Sequence, residues 1–120
     1  MIRTHKDLKV WKKSISLVTQ IYSSTQSFPK EEIYGLTNQI RRAAVSVSSN
    51  ISEGAARQTN KEFIQFLYIA LGSNSELETQ LLIAHNLNYI SNNDYENCNK
   101  QVDEIGKMLS GLISYRKSKS

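Results

Sequence analysis

Gln39 to Gly54 reads QIRRAAVSVSSNISEG, and the spacing of its apolar residues decides the fold class. Ile40, Ala43 or Ala44, Val47 and Ile51 recur at steps of three and four, which puts them on one face of an α-helix. Arg42, Ser46, Asn50 and Glu53 fall beside or within that stripe. Small residues at Ala43, Ala44, Ser46 and Ser48 flank it and let a neighbouring helix approach closely.

Upstream of this stretch, Pro29 sits where a first-turn proline is tolerated, followed by Glu31 and Glu32 with the sign that a helix N-terminus favours. The helix is therefore expected over about 30–55, carrying Ile33 and Leu36 on the same stripe and stopping near Gly54, with Ala55 and Ala56 as a further turn. Before it, Asp7 is placed to cap a helix over about 7–26, with Leu8, Trp11, Ile15, Val18 and Tyr22 as its main stripe and Val10, Leu17 and Ile21 as a second.

Downstream, Thr59 and Glu62 have capping-box spacing and open a helix over about 60–88. Phe63, Leu67, Ala70, Leu77, Leu81 and Ala84 form its stripe, interrupted by Asn74, and Ile64, Tyr68, Leu71 and Leu82 form a second. The polar cluster Ser91 to Asp94 offers caps for a last helix over about 93–116, with Tyr95, Cys98, Val102, Ile105, Leu109 and Leu112 as a heptad seam and a fraying tail after Tyr115.

Four amphipathic helices with short connections predict an all-α, antiparallel up-down-up-down four-helix bundle. The chain of 120 residues suffices for one domain spanning 1–120. The second stripes exceed what a monomeric bundle needs and predict a homo-oligomer, with Val10, Leu17, Ile21, Ile64, Tyr68, Leu71 and Leu82 at its interface. In the alternative, Val10, Leu17, Tyr68 and Leu82 are broad flanks of the core.

The formal net charge is +4, and its distribution is uneven. In an antiparallel bundle the start of the first helix, the second connection and the end of the fourth share one end. That end collects Arg3, Lys6, Lys9, Lys12, Lys13, Arg57, Lys61, Arg116, Lys117 and Lys119, while Glu31, Glu32, Asp94 and Glu96 lie at the other. A polarised bundle of this kind suits phosphate backbones; alternatively the lysines are a solvated face that maintains solubility. Base-specific readout is not expected, since the sequence shows neither a recognition-helix motif nor aromatics next to the basic residues.

Catalytic and metal chemistry find no support. Neither His5 nor His85 follows a glutamate by three residues, as a di-iron bundle requires, and there is no phosphate-binding glycine loop. No cofactor or metal is expected, and the chain is not expected to be an enzyme. One polar constellation remains: Arg42, Asn50, Glu53, Ser73 and Glu76 are expected to form a structural layer between the second and third helices, with Glu76 pairing Arg42. The single Cys98, the lack of an export signal after Arg3 and Lys6, and the absence of any apolar run near ~20 residues predict a cytoplasmic protein with no membrane span.

The blocks DLKVWKKSISLV, FPKEEIYGLTNQIRRAAVSVSSNISEG and EFIQFLYIALGSNSELETQLLIA, in that order, resemble the bacterial 23S rRNA-intervening-sequence proteins, a family of four-helix-bundle proteins. The resemblance implies a left-handed bundle assembled as a ring-like homopentamer without enzymatic activity, with relatives that bind nucleic acid and a reverse transcriptase through a basic pentamer surface. Two positions depart from the pattern. Ser48 stands where the family often has proline, which puts a kink in doubt, and Leu71 replaces a frequent basic residue, which shifts the expected contact surface to the basic end. The expected function is a non-enzymatic oligomer that binds RNA or DNA through phosphate contacts; the alternative is a protein-interaction scaffold.

Overall fold

The computed structural model describes residues 4–119. Four helices follow one another: α1 over Lys9–Thr25, α2 over Leu36–Ala55, α3 over Asn60–Asn86 and α4 over Asn92–Ser118. Cross-helix pairs fix their antiparallel order. Arg41 Nε donates to Thr25 Oγ1 between α2 and α1, the Ser46 and Ser73 hydroxyls meet at 2.8 Å between α2 and α3, and Asn74 Nδ2 donates to the Val102 carbonyl between α3 and α4. α2 and α3 share the most extensive contact, whereas among the described residues the Cα atoms of the diagonal pairs α1/α3 and α2/α4 do not come within 8 Å of one another. The long axis of 46 Å is set by the two 27-residue helices, each ~40 Å long at 1.5 Å per residue.

The helix ends follow local chemistry, with some departures from the sequence reading. Thr4, not Asp7, provides the first cap: it closes a capping box with Asp7 around a short 3-10 turn at His5–Asp7, and α1 begins after Leu8. Pro29 opens only a 3-10 turn at Lys30–Glu32, and α2 starts six residues later than expected, at Leu36. The reason is Glu32, whose side chain folds back to accept the Leu36 N–H at 3.1 Å and so supplies the cap that Gly35 cannot. Its other oxygen accepts from the Tyr89 hydroxyl, which raises the Tyr89 pKa, first through that hydrogen bond and then through burial and the acidic neighbours. α3 opens on Thr59, which accepts from the Glu62 N–H, and closes at Asn88, the one described non-glycine residue at positive φ. There the N–H groups of Asn88 and Tyr89 return to the His85 and Ala84 carbonyls in a Schellman arrangement. α4 starts on the Ser91 cap and, contrary to the fraying expected after Tyr115, continues to Ser118.

The core runs along the bundle axis through Ile40, Val47 and Ile51 of α2, Leu67, Leu77 and Leu81 of α3 and Cys98, Val102, Ile105 and Leu109 of α4. The α4 seam ends on Ile113, with Leu112 only half-buried. On α1 the second stripe is the more deeply buried, while the main one is split: Leu8 is buried, and Trp11 and Val18 pack partly against the core. Val10, Leu17 and Ile21 are buried, whereas Ile15 and Tyr22 are 41% and 43% exposed. Val10, Leu17 and Ile21 therefore belong to the core of the chain itself and not to an oligomer interface. The sequence concealed this because the inward face also holds Ser14, Ser24 and Thr25. Ser14 and Thr25 satisfy their hydroxyls on their own helix, at the Trp11 and Ile21 carbonyls, so they can be buried without a cross-helix partner.

α2 ends at Ala55, close to Gly54 as expected, but Gly54 itself is not the stop signal. It lies inside the last turn, buried, at a φ that any residue adopts. α2 is also continuous through Ser48, which is buried and bonds back to the Val45 carbonyl. Asn74 interrupts the α3 stripe as a buried side chain whose amide nitrogen reaches Val102 while its Oδ1 has no hydrogen-bond partner. Exchange for a leucine of similar shape removes an enclosed acceptor whose cost is ~1–3 kcal/mol and leaves no new orphan, since the Val102 carbonyl is already part of a helix. Asn74→Leu is expected to raise the chemical-denaturation midpoint; a midpoint lowered by more than that of Leu77→Ala would show that this amide is needed for packing.

Candidate nucleic-acid interface

One end of the bundle is built from the 3-10 turn before α1, the α2–α3 connection and the last turn of α4. Asn60 Nδ2 donates to the Arg116 carbonyl at 2.7 Å and ties the connection to α4. Thr4, His5 and Lys6 face Ala55 and Ala56 across a small apolar cavity. Lys6, Arg57, Lys61, Arg116, Lys117 and Lys119 are thereby brought to this end from three separate segments, and Lys9 and Lys12 lie exposed on the first turn of α1. Arg3 lies outside the described residues. The acids of this end are Asp7, Glu53 and Glu62; Glu53 pairs with Arg57 at 3.4 Å, and Glu62 accepts from the Thr59 hydroxyl. Lys13 is separate. It lies one turn further along α1 and pairs with Glu104 of α4 at 2.6 Å, which holds the Glu104 carboxyl below its ordinary value through that hydrogen bond and the charge of Lys13.

The aromatic surroundings of these cations were not anticipated. The Arg57 guanidinium lies 4.7 Å over the Phe66 ring and that of Arg116 4.8 Å over Phe63, while the Lys117 ammonium is 5.0 Å from the Tyr68 centroid and that of Lys119 5.3 Å from Tyr115. Only Tyr115 and Lys119, four residues apart across the C-terminal end of α4, carry a local sequence signal. The other three pairs exist because α3 lies between the turn and α4. Gly54 sets this geometry. A Cβ built on it would stand 2.6 Å from Phe66 Cβ and 3.0 Å from Phe63 Cδ1, so its missing side chain lets α2 approach α3 where both arginine-bearing rings are rooted. Arg57, Asn60, Phe63 and Arg116 line a shallow cavity of ≈ 190 Å³, into whose wall the Arg116 Nε is enclosed without a protein acceptor.

The expected polar layer is rearranged. Arg42 and Glu76 line one groove between α2 and α3, at the level expected, but both are exposed and no ion pair joins them. The contact at this seam is neutral instead: Ser46 bonds to Ser73, and Asn50 donates to the Ser46 carbonyl and hydroxyl. Glu53 serves Arg57. Hydroxyls and amides satisfy one another at such a seam without desolvating a charge, whereas a buried arginine carries a large desolvation cost. Among the described residues no group of three His, Cys, Asp or Glu side chains converges as a metal site, and no helix is long and apolar enough to cross a membrane. Cys98 is buried beside Ser24, and burial pushes its thiol up, with Ser24 partly opposing.

An all-helical bundle with one cationic end defines a small helical-bundle protein. The chain belongs to the 23S rRNA-intervening sequence protein family, whose model matches residues 6–111. It is also similar to a solved protein of unknown function from Bacteroides thetaiotaomicron, described as a member of the S23 ribosomal protein family. The two are 30% identical, the match covers 87% of this chain and 97% of the other, and the TM-score is 0.81. No curated protein matches the chain significantly.

Proposed function

We propose that this protein is a non-enzymatic homo-oligomer that binds RNA or DNA through the phosphate backbone at its basic end. The observation that carries this reading is the convergence of Lys6, Arg57, Lys61, Arg116, Lys117 and Lys119 from three segments onto one end, with Arg57 and Arg116 pre-positioned over phenylalanine rings. A guanidinium already held by a ring loses less freedom when it takes a phosphate. Family membership accords with an RNA-linked role, and the pentamer implied by the resemblance would set several such ends side by side.

The support for association is the exposed apolar surface. Ile15 and Tyr22, two turns apart on one face of α1, form one patch, and Leu82 and Ile83, adjacent on α3, form another. α1 and α3 are diagonal, so the patches face different directions. Unlike patches pair head to tail and close into a ring when the rotation permits. Of the interface residues expected on α3, Leu82 is exposed and open to such a contact, Ile64 and Leu71 are half-buried against the core, and Tyr68 lies under Lys117 at the basic end.

The test is nucleic-acid binding across a salt series, with light scattering for the oligomer. Wild-type affinity is expected to fall steeply with salt, log K against log salt having a slope of ~−0.7 to −0.9 for each phosphate neutralised. Arg57→Glu with Lys61→Glu and Arg116→Glu is expected to abolish binding while the far-UV circular dichroism is retained. Binding that is weak, insensitive to salt and unchanged by the three reversals would sink the proposal and favour a scaffold for protein partners.

A further inference from the structure

The four cation–ring pairs at the basic end differ in what they leave accessible. Phe63 is buried and Phe66 half-buried, so those rings serve the arginines. Tyr68 and Tyr115 are 45% and 56% exposed, each with a lysine ammonium beside its face. Resting on the nucleic-acid reading above, we infer that the preferred ligand is a single strand, whose bases stack on Tyr68 and Tyr115 while its phosphates meet Lys117, Lys119 and Arg116.

Complementarity favours the single strand. A duplex keeps its base faces inside the stack and offers this surface only phosphates, whereas a single strand offers phosphates and open base faces together. The two tyrosines flank the last turn of α4. Tyr68 stands on α3 beside Lys117, and Tyr115 on α4 itself, one turn before Lys119, so a strand crossing that turn meets ring, cation, cation and ring. The Lys119 ammonium over the exposed Tyr115 ring is weakly held, and exchanging the ring for a phosphate costs little while it uncovers the face a base needs. Neither tyrosine is required by the core: both rings stand outside the buried cluster. Stacking of this kind tolerates any base, so no strong sequence preference follows.

Fluorescence anisotropy with labelled strands of ~15 nucleotides, oligo-uridine and oligo-thymidine, against a duplex of the same length tests this at one salt concentration. Both single strands are expected to bind about tenfold more tightly than the duplex. Tyr68→Ala and Tyr115→Ala are each expected to lose about tenfold for the single strands and leave duplex binding unchanged, and Tyr68→Phe and Tyr115→Phe to retain wild-type affinity because the ring is kept. Equal or tighter duplex binding, or alanine variants that bind single strands as wild type does, would overturn the inference. Should both probes bind and the charge reversals abolish binding while the alanine changes do nothing, the single-strand inference fails and the phosphate reading survives. Should neither probe bind even at low salt, both fail.

Discussion

Leu17→Ala is expected to destabilise the protein by about 3 kcal/mol, whereas Ile15→Ala, two residues earlier on the same helix, is expected to cost less than about 1 kcal/mol. Leu17 is 1% exposed and faces the axis shared with α2 and α4, so its removal loses the transfer free energy of the side chain and leaves a cavity that rigid neighbours fill only in part. Ile15 is 41% exposed, and alanine's better helix propensity returns a few tenths of a kcal/mol. Thermal unfolding reads the difference directly. For a chain of this length the Leu17 change lowers Tm by roughly 10 °C, and the Ile15 change by a small fraction of that. In the proposed oligomer the order reverses for association, since Ile15 belongs to the outward patch, and light scattering of Ile15→Ala at falling concentration reads that separately. Equal thermal losses in the two variants would contradict the placement of α1.

Gly54→Ala is expected to be the most damaging single-methyl change, at about 2 kcal/mol net. A methyl at this position meets Phe66 Cβ at 2.6 Å, an atom fixed to the α3 backbone that cannot rotate away. The helices must part or bend, and overpacking of this kind costs ~1–3 kcal/mol or more. Against it stands a gain of ~1 kcal/mol from replacing glycine inside a helix. Gly72→Ala and Gly111→Ala are the controls, since a Cβ at either meets nothing within 4 Å; they are expected to stabilise by that propensity gain. Because Phe63 and Phe66 hold Arg116 and Arg57, Gly54→Ala should also weaken nucleic-acid binding beyond its effect on folding. A variant as stable as Gly72→Ala would refute the close approach of α2 and α3.

The difference between these glycines shows where sequence reading ran short. Gly54 after an apolar run has the look of a helix stop, and nothing local separates that role from close packing; the separation depends on Phe63 and Phe66 arriving from the next helix. Likewise both stripes of α1 are visible in the sequence, but periodicity does not say which lies deeper: Val10, Leu17 and Ile21 are buried, whereas the main stripe is buried at Leu8, partly so at Trp11 and Val18, and exposed at Ile15 and Tyr22. The inward face carries serines and a threonine that bond to their own helix, and this is what makes their burial tolerable. The Arg42–Glu76 pair was placed at the right level of the α2/α3 seam, yet pairing depends on side-chain reach and solvation, and the seam is closed by Ser46 and Ser73 instead. Lys13 follows Lys12 and so reads as part of the basic end, but Glu104, ninety-one positions away, pairs with it.

By itself the sequence determined the number of helices, their approximate extent apart from the start of α2, their antiparallel order, most of the buried stripes of α2, α3 and α4, the cap at Thr59, a cap somewhere within Ser91 to Asp94, and which end of the bundle is basic. These follow from periodicity, capping chemistry and loop length, all of which act over a few residues. Only the tertiary structure decided which face of α1 is core, why Gly54 is a glycine, that Glu32 caps α2 while holding Tyr89, and that four basic residues at one end lie over aromatic rings. Each of these depends on what a neighbouring segment places within a few ångströms, and one-dimensional spacing carries no record of that neighbour until the helices pack.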